Sequence, residues 1–240
     1  MRDGSAEQVP VGVVAPFDFA LDREIWRWVP DEVTLLLNRT PYVDHPVSIA
    51  LAEAVSDEDG VRRATRDVLA AEPRCVAYAC TSGSFVNGVA GERRLVAAMR
   101  SAGAPHAVTT SGALVEALAA LGINRVALAT PYVEDVTVRL RDFLAETGTE
   151  TVASAGLGLR SGIWRVPYDV TTKLVRDADS PNAEAVFVSC TNLPTYDIIA
   201  PLEAELGKPV LTANQVTLWS ALRVAGTMAV GAGQGLMTAS

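Results

Sequence analysis

The chain has 240 residues, of which 49% are hydrophobic and 20% charged, and its formal net charge is −8. This balance is typical of a compact folded protein and argues against extensive disorder. The length allows one large domain or two of about 100–120 residues. Because the net charge is negative, we expect no nucleic-acid partner, and an anionic ligand would need local hydrogen-bond donors.

The first eight residues, MRDGSAEQ, lack the apolar core of a signal peptide, and no later apolar run approaches the roughly 20 residues that span a bilayer. We therefore expect a cytoplasmic protein without membrane contact. The three cysteines are widely and irregularly spaced, which argues against a disulfide framework in a reducing compartment. No pair of cysteines has zinc-ligand spacing, and His45 and His106 are the only histidines, so we expect no metal site.

Short β-branched runs alternate with helical apolar spacing, which predicts parallel sheets covered by helices in an α/β fold. In chain order, the predicted strands are Val9–Ala15, Val33–Asn38, Cys75–Ala79, Ala107–Thr109, Arg125–Ala129, Glu150–Ala153, Ala185–Ser189 and Val210–Thr212. The predicted helices are Ser48–Val55, Glu58–Ala71, Gly91–Ala102, Ala113–Leu121, Glu134–Thr147, Asp169–Asp177, Asp197–Leu206 and Gln215–Ala225. Four helices are predicted to end at glycines in the left-handed conformation, Gly103, Gly122, Gly148 and Gly207.

Two similar motifs each place a cysteine after an apolar strand. The strand at 75–79 leads into Cys80-Thr81-Ser82-Gly83, and the strand at 185–189 leads into Cys190-Thr191-Asn192-Leu193. Open α/β sheets bind ligands at this end of their strands. Turn amides there are expected to lower the thiol pKa, and nearby hydroxyls can hold a carboxylate. The candidate hydroxyls are those of Thr81, Ser82, Ser84 and Thr191.

The alternative for any cysteine is a buried core position, because free cysteine often serves as a small hydrophobe. Cys75 fits that alternative, since it begins a strand and no small polar residues follow it. Cys80 and Cys190 fit the functional interpretation better, as two thiols from related halves of the molecule facing one substrate.

The motifs around Cys80 and Cys190, with Ala129-Thr130-Pro131-Tyr132 between them, resemble those of the aspartate/glutamate racemase superfamily. Within it, the chain is most similar to the branch of maleate cis-trans isomerases, arylmalonate decarboxylases and ectoine-utilisation proteins. The likeness extends from the strand near Val9 to the helix at 214–225. It implies two similar Rossmann-like (flavodoxin-like) lobes, an active site between them, no metal or organic cofactor, and a homo-oligomer, either a dimer or a tetramer.

We assign residues 1–104 plus 214–240 to an N-terminal lobe that carries Cys80, and residues 105–213 to a C-terminal lobe that carries Cys190. The resemblance implies an isomerase of a small mono- or dicarboxylic acid, similar to maleate cis-trans isomerase, with Cys80 and Cys190 as catalytic thiols. An amino-acid or hydantoin-type racemase and an arylmalonate-type decarboxylase remain alternatives. So does a binding protein without turnover. Arylmalonate decarboxylases carry glycine where this chain has Cys80, which weakens the decarboxylase interpretation.

The resemblance also implies substrate-binding residues. Tyr132 matches a tyrosine that contacts a substrate carboxylate in the isomerases, and the turns after the two cysteines match carboxylate-binding turns. These turns contribute Thr81, Ser82, Gly83, Thr191 and Asn192. Outside the matched motifs, Asp18 is a candidate site carboxylate because it follows the first strand. Its loop, Pro16-Phe17-Asp18-Phe19, departs from the polar loop of the isomerases, which indicates a less polar pocket and puts maleate itself in doubt.

Several aromatic residues lie outside these motifs. Trp26 and Trp28, and the run Ile163-Trp164-Arg165, are candidates for a lid over the cleft or for a subunit contact. Arg165 is either a partner for a substrate carboxylate or a solvated loop charge.

Overall fold

The computed structural model describes residues 8–239 as two parallel sheets flanked by helices. The first sheet contains β1 (Val9–Ala15), β2 (Val33–Arg39), β3 (Cys75–Tyr78) and β4 (Ala107–Thr109) in the order β2-β1-β3-β4. The second contains β5 (Arg125–Thr130), β6 (Glu150–Gly156), β7 (Ala185–Val188) and β8 (Val210–Thr212) in the order β6-β5-β7-β8. The two sheets therefore repeat one topology, and the predicted two-lobe α/β fold is confirmed.

Ten α-helices connect and cover these strands within the described residues. They are α1 (Asp22–Ile25), α2 (Ile49–Val55), α3 (Glu58–Val68), α4 (Thr81–Phe85), α5 (Gly88–Ala102), α6 (Thr110–Ala120), α7 (Glu134–Glu146), α8 (Tyr168–Ala178), α9 (Ile199–Leu206) and α10 (Ala213–Val224). Short 3-10 turns occupy Trp26–Trp28, Leu69–Ala71, Ile163–Arg165, Tyr196–Ile198 and Gly235–Thr238. None of the described helices is long and apolar enough to cross a membrane.

The helix ends follow the local chemistry of the sequence. Asp57 accepts a hydrogen bond from the Gly60 N–H at the start of α3, and Thr109 does the same for Gly112 at the start of α6. Thr212 and Gln215 form a capping box at the start of α10. The four glycines predicted to end helices all have positive φ. Two short helices, α1 and α4, were not predicted, because their four and five residues are too few to show a periodic apolar pattern.

Strand β4 lies in the first lobe, whereas the division made on the sequence assigns it to the second lobe. Residues 105–213 were assigned to the second lobe, but Val76, Ala77 and Tyr78 of β3 pair with Ala107–Thr109 in the first sheet. The chain therefore crosses between the sheets after β4, and α6 then packs against α10. The division of the chain into two domains, with a boundary between residues 104 and 105, stays a prediction.

Helix α10 lies between the two sheets and is buried along nearly its whole length. Leu218 and Leu222 pack into the core of the first sheet, whereas Val216 and Trp219 pack into the core of the second. A helix with apolar side chains all around it requires such burial. The two lobes consequently share one central helix and are held in a fixed relation.

Gly12 allows β1 to lie close against α3. A Cβ atom at this buried residue would lie 2.9 Å from the Val68 Cγ2 atom and 3.1 Å from the Val76 Cγ2 atom. We expect Gly12→Ala to reduce the free energy of unfolding by about 1–3 kcal/mol, the usual cost of overpacking. In urea titrations, Gly12→Ala with Val68→Ala should lose less stability than the sum of the two single variants. Additive losses would contradict this contact.

Candidate active site

The carboxyl ends of the central strands in both sheets face one cavity between the lobes. Asp18 and Cys80 follow β1 and β3 in the first sheet, and Tyr132 and Cys190 follow the equivalent strands β5 and β7 in the second. In each sheet these two strands are neighbours at the point where the strand order reverses, which is where open α/β sheets bind ligands. The topology therefore brings both thiols to one place.

The cavity has a volume of about 40 Å³. All of the predicted site residues except Gly83 line it: Asp18, Cys80, Thr81, Ser82, Tyr132, Cys190, Thr191 and Asn192. The remaining wall is apolar and is formed by Pro16, Val47, Leu51, Val55 and Ile163. The roles of the predicted site residues in catalysis or binding stay predictions. The convergence of these residues on one cavity is a feature of the structure.

Cys80 lies at the N-cap of α4, with its sulfur inside the first turn. The Gly83 N–H donates to the Cys80 Sγ atom at 3.4 Å, so Gly83 supports the thiol from behind and does not face the cavity. A Cβ atom at Gly83 would lie 2.4 Å from the Tyr78 hydroxyl oxygen, and therefore only glycine fits there. Ser84 is also directed away from the cavity, because its hydroxyl bonds the Cys80 carbonyl oxygen at 2.7 Å.

Thr81 lines the cavity and carries a buried hydroxyl. The residue is 1% exposed and lines the cavity, and its Oγ1 atom has no hydrogen-bond partner within the described residues. A buried hydroxyl without a partner costs free energy, which a bound acceptor would recover. Ser82 and Tyr132 place two more hydroxyls on the same cavity.

The loop after β7 is fixed to the first lobe by hydrogen bonds. The Asn192 Nδ2 atom donates to the Asp18 carbonyl oxygen at 2.9 Å, and the Asn192 Oδ1 atom accepts from the Ala20 N–H at 2.9 Å. The Thr191 Oγ1 atom donates to the Ala79 carbonyl oxygen at 3.2 Å. The side chains of Thr191 and Asn192 are thus engaged with backbone groups, and the substrate contact predicted for these residues stays a prediction.

Glu24 is a functional candidate that sequence reasoning missed. Its buried carboxylate accepts hydrogen bonds from the Thr195 N–H, the Thr195 hydroxyl and the Tyr168 hydroxyl. Burial raises the pKa of Glu24, and the hydrogen bonds from Thr195 oppose that rise. Glu24 therefore anchors the far end of the loop that carries Cys190. No sequence signal marked it, because a single glutamate in a short helix is ordinary.

The thiol pKa values contradict the prediction from sequence. Burial raises the pKa of Cys80 to about 11, although the Gly83 N–H and the Tyr78 hydroxyl favour the thiolate. Burial likewise raises the pKa of Cys190 to about 12, against the effects of the Asn192 N–H and Tyr132. The effect of lost hydration therefore outweighs that of the local dipoles and raises the pKa of each thiol.

Other residues named from the sequence lie away from the cavity. Cys75 is fully buried in β3, as predicted for a core residue. Trp28 is also fully buried and donates to the Gln234 Oε1 atom at 2.8 Å, so it is not a lid. Ile163 does line the cavity, whereas Trp164 and Arg165 are exposed beside it. In the described part of the chain, no group of His, Cys, Asp or Glu side chains is arranged to hold a metal ion.

Comparison with known proteins agrees with this architecture. The family described as arylmalonate decarboxylase matches residues 51–238. Arylmalonate decarboxylase from Bordetella bronchiseptica is 37% identical over 150 residues, which are 61% of this chain and 62% of that protein. Maleate isomerase from Geobacillus stearothermophilus is 28% identical over 162 residues, 63% of this chain and 64% of that protein. The matches therefore span less than two thirds of either relative.

A solved structure is similar over nearly the full length. A double mutant of arylmalonate decarboxylase, in which a glycine is changed to cysteine and a cysteine to serine, was determined in a liganded form. It superimposes with a TM-score of 0.88 at 29% identity, covering 96% of this chain and 99% of that one. Fold and cavity define a two-lobe α/β protein of the Asp/Glu racemase-like superfamily. Within that superfamily, the chain belongs to the arylmalonate decarboxylase family.

The raised thiol pKa values predict slow alkylation. At pH 7.5, iodoacetamide should modify Cys80 and Cys190 more slowly than it modifies free N-acetylcysteine, because the thiolate is the nucleophile. Mass spectrometry at increasing pH should show the modification rate of both thiols rising as the thiolate fraction grows. Since protonated thiols are favoured in the folded state, their contribution to stability should be complete below about pH 8.5 and lost as the pH rises through 11–12. Rapid alkylation of both thiols at pH 7.5 would contradict this.

The backbone of Cys190 predicts a difference between two substitutions. Cys190 has a φ of +90°, in a region that side chains with a Cβ atom rarely adopt. Cys190→Gly relieves this strain and Cys190→Ala does not, so the glycine variant should be more stable by about 1 kcal/mol. Thermal unfolding of the two variants measures the difference. Equal stability would show that the loop relaxes without cost.

Proposed function

We propose that the protein is a cofactor-independent isomerase of a small carboxylic acid, with Cys80 and Cys190 as its catalytic thiols. One observation carries the proposal: equivalent strands of the two lobes deliver both thiols to one cavity that also contains an unpartnered hydroxyl, that of Thr81. The reaction we favour is cis-trans isomerisation, which the maleate isomerase from G. stearothermophilus is named for.

We place the substrate carboxylate at the hydroxyls that line the cavity. Thr81 has an unpartnered buried hydroxyl, Ser82 lies beside it in the first lobe, and Tyr132 faces the same cavity from the second lobe. Hydrogen bonds from such donors to a carboxylate are stronger than bonds between neutral groups. A carboxylate held there would place its adjacent carbon atoms in the cavity that both sulfurs line.

We assign the role of nucleophile to Cys80, because its sulfur accepts a hydrogen bond from the Gly83 N–H in the first turn of α4. The Cys80 sulfur forms a bond to one alkene carbon while Cys190 donates a proton to the other, and the proton of Cys80 passes to Cys190. The carbon–carbon bond is then single and rotates. Reversal of these steps releases the trans acid and restores both thiols, so atoms and charge balance without a co-reactant.

Two other reactions use parts of the same geometry. A racemase would use the two thiols to remove and return a proton on opposite faces of a carbon next to the carboxylate. A decarboxylase needs only one thiol to protonate the carbon that loses carbon dioxide. The family match makes decarboxylation a candidate reaction. Decarboxylation, however, would leave the second thiol without a role in the mechanism.

Substitution of each thiol tests the proposal. We expect Cys80→Ala and Cys190→Ala each to reduce the turnover of a cis-alkenoic acid such as (Z)-but-2-enoate or maleate by about 100-fold or more, the usual contribution of a positioned acid, base or nucleophile. Proton NMR follows the appearance of the trans acid. Cys75→Ala is the matched control, because Cys75 is buried in β3 outside the cavity. Circular dichroism verifies that each variant is folded.

Three results would contradict this assignment. Wild-type turnover in both cavity-cysteine variants would exclude the two-thiol mechanism. Exchange of the α-hydrogen of 2-phenylpropionate for deuterium, with no alkene isomerisation, would identify a racemase. Release of carbon dioxide from phenylmalonate that depends on Cys190 alone would identify a decarboxylase.

A further inference from the structure

We infer that Tyr78 is a positioning residue for Cys80, and that its buried hydroxyl serves two partners in turn, the Val55 carbonyl oxygen and the Cys80 sulfur. While Cys80 is a thiol, the hydroxyl donates to Val55. When Cys80 becomes a thiolate, the hydroxyl rotates and donates to the sulfur. This inference rests on the proposed function for the catalytic role of Cys80, and it adds a residue outside the cavity that acts through that thiol.

Tyr78 lies next to the Cys80 sulfur without lining the cavity. The residue is fully buried at the end of β3 and is absent from the cavity wall. A Cβ atom at Gly83 would lie 2.4 Å from the Tyr78 hydroxyl oxygen and 3.1 Å from the Cys80 Sγ atom. Both atoms therefore lie against the same glycine, which has no side chain to separate them. A substrate in the cavity would touch the sulfur but not this hydroxyl.

The Tyr78 hydroxyl has a second partner in α2. It donates to the Val55 carbonyl oxygen at 2.7 Å. Val55 is the last residue of α2, where carbonyl groups lack a partner within the helix. A hydroxyl has one proton, but its oxygen can accept a hydrogen bond at the same time. The thiol form of Cys80 is therefore accommodated as a chain in which the thiol donates to the hydroxyl and the hydroxyl donates to the carbonyl oxygen.

Ionisation of Cys80 changes what this hydroxyl must do. A thiolate has no proton to donate, so the chain loses its first donor. Rotation of the Tyr78 hydroxyl then exchanges a neutral hydrogen bond to Val55 for a charge-assisted one to sulfur, which is the stronger of the two. Burial and the neighbouring Cys80 raise the pKa of Tyr78 well above its usual value. Tyr78 consequently keeps its proton throughout and acts as a donor, not as a base.

The titratable side chains that act on the Cys80 sulfur come from the ends of four strands: Asp18, Tyr78, Tyr132 and Cys190. Burial raises the pKa of Cys80 and the charge of Asp18 adds to that rise, whereas hydrogen bonds from Gly83, Tyr78 and Ser82 oppose it. The Ser82 hydroxyl is 4.0 Å from the sulfur and lines the cavity, where a substrate can engage it. Tyr78 is the side-chain donor that stays with the sulfur when the cavity is occupied.

Alkylation of Cys80 in the full-length chain tests the inference without a substrate. In a Cys75→Ala background, Cys80 and Cys190 are the remaining cysteines, and mass spectrometry separates their reactions with iodoacetamide. At about pH 8, Tyr78→Phe should slow the alkylation of Cys80 about tenfold, because the thiolate loses a charge-assisted hydrogen bond. The rate at Cys190 is the internal control and should stay unchanged, since the hydroxyl beside Cys190 is that of Tyr132.

A hydroxyl that only caps α2 gives a different result. Its loss would loosen the packing around Cys80, and alkylation would be as fast as in the parent protein or faster, which would overturn the inference. Replacement of Tyr78 by 3-fluorotyrosine is a second variant that nearly keeps the size of the side chain. Its more acidic hydroxyl is a stronger donor, so Cys80 should react about twofold faster or more. An unchanged or slower reaction of this variant would also overturn the inference.

These measurements are independent of turnover. If the isomerase assignment is wrong, the failure appears in the turnover of the cysteine variants, whereas the alkylation rates of Cys80 still respond to Tyr78. If Tyr78 has no effect on the thiolate, the failure appears in the alkylation rates alone. The two failures are therefore distinguishable.

Discussion

The attachment of the Cys190 loop to the first lobe is the constraint on which the cavity depends. Asn192 bonds the backbone on both sides of Phe19, Thr191 bonds the residue before Cys80, and Glu24 holds Thr195. Each bond joins a side chain to a group far away in sequence, and together they fix the carboxyl ends of β3 and β7 relative to each other. Helix α10 joins the cores of the two lobes, and these bonds fix the loop that brings Cys190 to the cavity that Cys80 also lines.

The same attachment explains the electrostatics of the site. The two lobes bury the thiols and reduce their contact with water. This loss of hydration raises the pKa of each thiol more than the nearby N–H groups lower it. A low-dielectric cavity of this kind disfavours any step that creates a new isolated charge. It favours a relay in which one thiol gives up a proton while the other transfers one to the substrate, because the net charge in the cavity stays constant.

Much of the fold was predictable because each strand is a short apolar run followed by a polar turn. Three strands begin and end as predicted, and the other five differ only at the carboxyl end, because backbone pairing extends or shortens them there. The site was predictable where chemistry and topology coincide, as at Cys80 and Cys190. The apolar wall of the cavity was not predictable from the sequence. The spacing of Val47, Leu51 and Val55 is the same whether a helix faces a protein core or a ligand.

Long-range partners account for the remaining differences. Asn192 in a turn reads as a ligand contact, and only the three-dimensional structure shows that its amide is occupied by Asp18 and Ala20. Trp28 likewise reads as a surface aromatic until Gln234, 206 residues away, is seen to accept its N–H. The thiol pKa depends on how completely the lobes exclude water, a property of the assembled cavity that no local motif contains.

The strain at Cys190 follows from the same geometry. A φ of +90° at a residue with a side chain is unfavourable, yet Cys190 directly precedes the two residues whose side chains bond the first lobe. Those bonds, and the buried cores that α10 joins, hold the backbone in a conformation it would otherwise leave. The interlobe bonds thus hold Cys190 in a strained conformation at the cavity that Cys80 also lines.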